Sequence, residues 1–334
     1  MSIQRPNQPG QGSRHVSLVA LPDAVVSTLF GIFDVMNAFV FIDPAQGETG
    51  APALFQVDIV GEAVGPMDLA SGVPVNVRRA IDTIETTDIV IVPSVLLRSL
   101  GWTKGRYSRL VHWFDGREAT VHFAYARAFG ASYPTVTIHP ERALVISGRR
   151  EELVSSGAST TWHDLALYLI ARYAGATAAQ EVARMFALQW HQDGLTPYII
   201  FEGKTDHGDA EIERAQQWLR DHFSVANPVE EMIKRSKLAE RTFKRRFATA
   251  TGLTPIAYVQ RLRIEDAKRR LERTDASVDE ISWRVGYEDA AFFRRLFKRT
   301  TGVAPGAYRK RFRIPEFARP GQGSRPRRPS VSTS

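Results

Sequence analysis

The residues with the most chemistry to offer are arginines and lysines held at fixed places in a pattern that the chain writes twice. Phe243 to Arg263 and Phe293 to Arg313 both read F-x-R-x-F-x-x-x-T-G-x-x-P-x-A-Y-x-x-R-x-R, 50 residues apart and identical at ten of twenty-one positions. Phe243 and Phe247, like Phe293 and Phe297, are spaced i, i+4 and share one face of a helix, which makes an apolar anchor. Arg245 and Arg295 lie two residues on from the first Phe, about 200° round a helix of 3.6 residues per turn, so each anchored helix presents a guanidinium outward. Residues 209–334 hold 28 Lys and Arg against 16 Asp and Glu, a net +12, while the remainder nets −4. Charge segregated in this way suits a phosphate-binding module joined to a near-neutral partner.

Catalytic chemistry has less support. The chain has no cysteine, which excludes thiol nucleophiles, disulfides and thiolate metal sites. No G-x-S-x-G offers a serine elbow with an oxyanion hole, and there is no phosphate loop or dinucleotide fingerprint. Ser94, His122 and Asp34 can be imagined as a triad, but each has an ordinary structural use. Asp206, His207 and Asp209 could face a cation, although polar residues in such a segment are usually only solvated. The expectation is a protein that is not an enzyme, with no catalytic residues, no metal and no cofactor.

The elements that position the arginines are short helices with clear ends. Thr251-Gly252 and Thr301-Gly302 stop the anchored helices, and Pro255 and Pro305 open the next ones. Upstream stand the helical phrases Val229 to Met232 and Val278 to Ile281. The second runs through Trp283 and Val285 to Gly286-Tyr287 and then to Asp289, a good N-cap. In the first, the turn is Lys237-Leu238 followed by Ala239, without the glycine and without the capping side chain. A helix from Ile256 to Arg273 joins the units and spans about 27 Å.

Two helix-turn-helix units on one long helix resemble the DNA-binding domain of AraC/XylS-family transcription regulators. The phrases D-E-I-S-W-R-V-G-Y, F-F-R-R-L-F-K and T-G-V-A-P-G-A-Y-R carry the likeness, which covers about Glu211 to Phe312. The resemblance implies that the second helix of each unit enters a major groove of double-stranded DNA. By position that nominates Arg241, Lys244, Arg245, Ala290, Ala291 and Arg295 for base contacts, with arginine to guanine and alanine to the thymine methyl as apt pairings. Arg246, Lys298 and Arg299 fall nearer the backbone and would position without specifying. Readers on one face of B-DNA need about 34 Å between centres, which the joining helix and its flanking units can supply.

The chain is long enough for two domains, with no run approaching 18 apolar residues and a polar start, so a cytoplasmic protein is expected. Residues 1–14 and 314–334 are too polar to bury themselves and read as disordered tails, the latter basic. Residues 15–197 alternate strands with helices: strands at His15–Leu21, Ala53–Gly61, Ile89–Pro93, Thr135–Ile138 and Ala143–Ser147, helices near Val25–Phe39 and Arg106–Phe114. A strand-loop-helix from Leu153 to Tyr173 and a helix from Ala176 to Gln192 follow. That order implies an α/β domain with a parallel sheet covered on both faces. Residues 198–209 read as a linker and 210–313 as an all-α domain.

The α/β domain resembles the flavodoxin-like, PfpI-like (class I glutamine amidotransferase-like) sensor of GlxA-type regulators. The carrying phrases are D-I-V-I-V-P, D-G-R-E-A-T-V-H-F, S-S-G-A-S and W-H-D-L-A-L-Y-L-I. One departure is visible: Trp113-Phe114 and Asp115-Gly116 abut where relatives carry a strand, a nucleophile-type elbow and a helix, so one such unit is missing. The loop Ser155–Thr161 is small, rich in hydroxyls, and feeds a helix whose free N–H groups favour an anion. Asp34, His122, Ser156, Gly157, Ser159 and Trp162 are the candidate ligand residues, with core or capping duty as the alternative for each.

The resemblance implies a transcription regulator, with activation the family's commoner sign. A small-molecule effector, an amine or amino-acid derivative, is implied as its ligand, with RNA polymerase and a second copy of the chain as partners and no membrane. Three alternatives remain open: a PfpI-like amidase or hydrolase tethered to DNA, a protein that binds DNA without sequence preference, and a constitutive DNA binder whose sensor is degenerate.

Overall fold

The computed structural model describes residues 2–3, 13–38, 53–96, 114–315 and 318. Two compact units divide the chain, Met1–Leu195 and Thr196–Ser334.

In the N-terminal unit the organising strand is Arg14–Val19 (β2), where Val16, Ser17 and Leu18 are all fully buried. Burial of consecutive residues means that both faces of the strand are covered, the signature of a parallel sheet with helices on each side. Phe55–Gly61 (β3) and Ile89–Ile91 (β8) flank it in parallel, and Arg79–Ala80 (β6) extends β3, giving the order β6-β3-β2-β8. The buried Ser17 hydroxyl donates to Thr87 Oγ1 at 3.1 Å, so it is not stranded at the sheet centre. Leu29, Ile32, Val35 and Met36 of the helix Val26–Met36 (α1) pack into the same core as Ala166, Leu167 and Ile170 of Trp162–Ala174 (α3) and Val182 of Ala176–Met185 (α4).

Several expectations change here. Leu144–Ser147 (β11) and Leu153–Ser156 (β12) pair antiparallel, because the five residues between them are too few for a crossover. A second hairpin, Gly65–Asp68 (β4) with Pro74–Val77 (β5), and a helix, Phe123–Ser132 (α2), were not foreseen. The helix expected to Gln192 ends at Met185, where Ala187 takes a left-handed φ of 53° and Leu188 N–H returns to Ala183 O at 2.8 Å. Within the segment expected to be a disordered tail, Ser2–Ile3 (β1) pairs in parallel with Thr86–Thr87 (β7), and Arg14 belongs to β2. Ladder pairing uses backbone groups alone, so a polar composition does not prevent it.

The helix expected near Arg106–Phe114 lies, up to residue 113 at the shortened junction, outside the described residues, as does most of the basic tail. After that junction Glu118–Ala119 (β9) pairs in parallel with Thr137–Ile138 (β10), and among the described residues this pair is not hydrogen-bonded to the four-stranded sheet.

The C-terminal unit is helical: Ala210–His222 (α5), Pro228–Ser236 (α6), Glu240–Thr251 (α7), Pro255–Arg273 (α8), Val278–Arg284 (α9), Ala290–Thr301 (α10) and Pro305–Phe312 (α11). Two cores share α8. Its first half gives Tyr258 and Val259 to a cluster with Phe243, Phe247, Met232 and Leu219; its second half gives Ile264, Ala267 and Leu271 to one with Phe293, Phe297, Ile281 and Val285. All four repeated phenylalanines are fully buried. The repeated threonines also do the same work twice. Thr251 Oγ1 bonds Phe247 O at 2.8 Å and accepts Leu253 N–H at 3.2 Å, while Thr301 bonds Phe297 O at 2.9 Å and accepts Val303 N–H at 3.4 Å.

The stretch read as a linker, 198–209, is packed on this unit. Tyr198 meets Phe312 edge-on at 5.0 Å and Phe201 meets Tyr258 at 5.1 Å. Lys268 Nζ donates to Ile199 O at 2.6 Å, and Gln216 Nε2 to Lys204 O at 2.9 Å. Glycine and lysine in the segment suggested solvent; its two aromatic rings decide otherwise.

Gly286 sits at a φ of 93°, and a Cβ there would lie 2.5 Å from Ser224 O and 2.8 Å from Arg263 Cζ. Gly286→Ala therefore combines left-handed strain with overpacking and is expected to cost about 3 kcal/mol. Gly252→Ala, at a φ of 77° with open space around it, is expected to cost about 1 kcal/mol. Denaturant midpoints of the two variants against the parent check the difference.

Candidate nucleic-acid interface

The two helix-turn-helix units are built from α6 with α7 and from α9 with α10. In the second, Gly286 makes the turn and Asp289 caps α10, accepting Ala291 N–H at 2.8 Å and Phe292 N–H at 3.0 Å. Those bonds hold the Asp289 carboxyl below the usual carboxylate value, the Phe292 N–H contributing most. In the first, Lys237 takes the left-handed conformation at φ 54° and Ala239 stands at the cap position with no side-chain bond. The weaker turn chemistry read from Lys237-Leu238-Ala239 is thus met by a strained non-glycine residue.

Each unit turns a basic face to solvent. Arg241, Lys244 and Arg245 on α7 are exposed, as are Ala291, Arg295, Lys298 and Arg299 on α10, while Ala290 is half-buried at its start. Lys244 is paired with Glu240 one turn back, leaving Arg241 and Arg245 as the stronger candidates on that helix. Arg246, nominated for a backbone contact, is engaged within the unit. Its guanidinium makes a two-pronged bond to Asp209, Nε to Oδ2 at 2.9 Å and a terminal nitrogen to Oδ1 at 2.7 Å. The repeat explains why: 50 residues on, the same position is Leu296, buried at 2% exposure, so Arg246 lies on the flank of the anchored face.

Two aromatic groups join this surface without having been nominated. Trp283 on α9 is 72% exposed and Phe292 on α10 is 37% exposed. Trp283 lies two residues from both Ile281 and Val285, which are fully buried, so helical phase alone sets it on the outer face.

One buried side chain joins the two units. Arg263 on α8 is 7% exposed and donates to Phe223 O, Val225 O and Gly286 O, each at 2.7 Å, with its guanidinium 4.9 Å over the Tyr287 ring. Burial lowers its pKa from the usual arginine value. The carbonyls of residues 223 and 225 lead into the first unit and that of residue 286 is the turn of the second.

Residues 232–311 match the family model described as a helix-turn-helix domain. The C-terminal unit is a helix-turn-helix domain. Over 94 residues the chain is 38% identical to the HTH-type transcriptional activator RhaS of Salmonella arizonae, covering 28% of this chain and 34% of that protein. The match thus spans about a third of the length of the curated relatives. Among solved structures it is similar to the DNA-binding domain of AdpA, a global transcriptional factor, in complex with a target DNA: 34% identity, 30% of this chain, 90% of that one, TM-score 0.29. It is also similar to the C-terminal domain of AraT, a response regulator from Geobacillus stearothermophilus: 27% identity, 34% and 93% covered, TM-score 0.31.

The candidates of the N-terminal unit fare differently. His122 caps α2, its Nδ1 accepting Ala124 N–H at 3.2 Å, and burial lowers its pKa. Gly157 is packed so closely that a Cβ would lie 2.5 Å from Thr120 Oγ1 and 2.6 Å from Arg142 O. Ser156 ends β12, and Ser159 O accepts the Thr28 hydroxyl at 3.3 Å. Neither serine caps α3; Thr161 precedes that helix and bonds Ala158 O at 2.8 Å instead. The Trp162 ring lies over Gly31 of α1, and Asp34 is exposed one turn further along that helix. Ser159 and Trp162 therefore meet α1 along one seam, whereas His122 and Gly157 serve local structure.

In the cluster of residues 206–209, His207 and Asp209 are tied into the helical unit. His207 Nε2 bonds Gln216 Oε1 at 2.8 Å, its Nδ1 accepts Asp209 N–H at 3.1 Å, and Asp209 Oδ1 accepts Ile212 N–H at 3.3 Å to cap α5. The Arg246 bond, with that cap, holds the Asp209 carboxyl below the usual value. A depressed folded pKa gives stabilisation that is complete above the unfolded value of about 3.9 and lost as pH falls through the folded value. Asp209→Asn is expected to lower Tm at neutral pH and to flatten the acid limb of a Tm-against-pH curve. Asp209→Ala, which removes the cap as well, is expected to cost about 1–2 kcal/mol at neutral pH.

Proposed function

We infer that the chain is a sequence-specific, DNA-binding transcription regulator of the AraC type, acting as an activator. The carrying observation is the pair of helices α7 and α10, each anchored by a buried phenylalanine pair and each presenting an exposed arginine two residues on. The similarity to RhaS, named as a transcriptional activator, supports the same reading. Arg241, Arg245 and Arg295, with Ala290 and Ala291, read base edges of double-stranded DNA, while Lys298 and Arg299 hold phosphates. A joining helix of 19 residues, about 28 Å long, sets the two readers for successive major grooves.

The N-terminal α/β unit is the receptor for a small metabolite and is not catalytic, in keeping with the absence of cysteine and of a serine elbow. An amine or amino-acid derivative would meet Asp34 together with Ser159 and Trp162. RNA polymerase and a second copy of the chain are the macromolecular partners, and no described helix is long and apolar enough to cross a membrane. A second reading, a constitutive DNA binder, is favoured by the close packing at Gly157 and the capping role of His122, which leave fewer groups for a ligand. Thermal shift over a metabolite panel separates the two, since a ligand at 100 times its Kd adds about 2.7 kcal/mol.

Arg295→Ala is expected to cost about 1–3 kcal/mol on the cognate site and to relax base choice at one position. Lys298→Ala should weaken all sequences alike and make the salt dependence shallower. Gel-shift titrations on a cognate and a scrambled duplex test this, and equal sequence-blind losses for both variants would count against it.

A further inference from the structure

Three side chains of the N-terminal unit converge on one point. His163 and Asp164 stand in the first turn of α3, and His191 returns to them from the loop after α4. His191 Nδ1 lies 2.6 Å from Asp164 Oδ2, and His163 Nε2 lies 3.5 Å from the same oxygen. The imidazole rings stack at 5.1 Å with 16° between their planes, so both turn a nitrogen toward that carboxylate. All three ligand atoms lie within 4.8 Å of one another. Asp164 is 2% exposed, and its ion-pair partners among the described residues are these two histidines.

Among the described residues this buried carboxylate faces two imidazole nitrogens, a donor set that a divalent ion can complete. Ligand atoms at about 2.0–2.2 Å from a tetrahedral ion stand roughly 3.4 Å apart, close to the 3.5 Å already present between His163 and Asp164. The contact between His191 and Asp164 must open by less than about 1 Å to reach the same spacing. The carbonyl oxygen of Gln189 lies 2.9 Å from His163 Nε2.

We propose that His163, Asp164 and His191 bind one divalent transition-metal ion of the zinc class. Two imidazoles and a carboxylate suit zinc, nickel, cobalt or copper better than magnesium or calcium, which take oxygen ligands. In the metal-free network His191 Nδ1 shares a proton with Asp164 and His163 Nε2 with Gln189 O. In the bound form each neutral ring carries its proton on its other nitrogen, so the ion replaces two hydrogen bonds. The ion would pin the loop 186–192 to the start of α3.

His139 shows what a non-converging histidine looks like. Its Nε2 faces Glu118 and its Nδ1 faces Glu141, each at 3.4 Å, so the two carboxylates meet opposite sides of the ring. It provides the control.

The test uses the full chain without a polyhistidine tag, dialysed against zinc alone and then against cobalt alone. The expected results are one zinc per chain, a raised Tm reversed by chelator, and visible cobalt absorption of tetrahedral strength. His163→Gln, which leaves the pair between Asp164 and His191 in place, should weaken zinc binding at least about tenfold, and His139→Gln should leave it unchanged. Absence of stoichiometric zinc on the folded parent, or undiminished affinity in folded His163→Gln, overturns the site. Should His163→Gln fail to fold, the cobalt spectrum of the parent decides: tetrahedral absorption supports the site and weak six-coordinate absorption overturns it.

Discussion

The helical unit depends on one buried cation. Arg263 stands on the helix shared by both cores and sends three donors to three backbone carbonyls, two at the entry to the first reader and one in the turn of the second. An isolated buried charge is strongly unfavourable, so the arrangement holds only while all three acceptors are in place. A planar guanidinium meets that demand with fixed directions, whereas a lysine ammonium would supply a point charge without the fork. The same group fills the space that a side chain at residue 286 would need. The glycine of the second turn and the arginine of the joining helix are therefore one constraint seen from two sides. It ties the segment before the first helix-turn-helix unit to the turn of the second.

How much of this was legible follows from which features are local. Phenylalanines at i, i+4, a glycine stop and a proline start are properties of a single helix and its ends, so the phase of α7, α8 and α10 could be read directly. Arg263 could not be. The repeat equates it with Arg313, which is paired with Asp275 near the end of the unit. The same letter does two jobs because the neighbours across the fold differ. Arg246 illustrates the converse: its repeat partner Leu296 is core, and only the presence of Asp209 nearby turns the position into an ion pair.

In the N-terminal unit the centre of the sheet was legible because β2, β3 and β8 are short runs rich in β-branched and apolar residues, set between helical stretches. The hairpin of β4 and β5 was not, since alternating exposure in four-residue strands with Gly65 and Pro66 at one end leaves little periodicity to find. Nor were His163, Asp164 and His191, whose association spans 27 residues and rests on a loop that doubles back. Gly157 and Ser156, chosen from a loop's composition, also answer to close packing and to strand geometry, which composition does not reveal.

The segment 196–209 is held within the helical unit by its own bonds. It is the covalent path into the helical unit, and it is fastened there by groups that are costly to release. Lys268 is 4% exposed, with its ammonium held by Ile199 O and Glu265 and lying 5.8 Å over the Tyr308 ring. Gln216 is 2% exposed and divides its amide between His207, Lys204 O and the Tyr258 hydroxyl. Lifting the segment would leave both side chains buried with acceptors or donors missing, a penalty of about 1–3 kcal/mol for each unmet group. Both sit against or on α8, the helix that also carries Arg263. An effector that acted through the chain would thus have to favour a state in which these bonds are exchanged for others, not merely tug on a slack tether. The segment is better described as the first element of the helical unit than as a spacer before it.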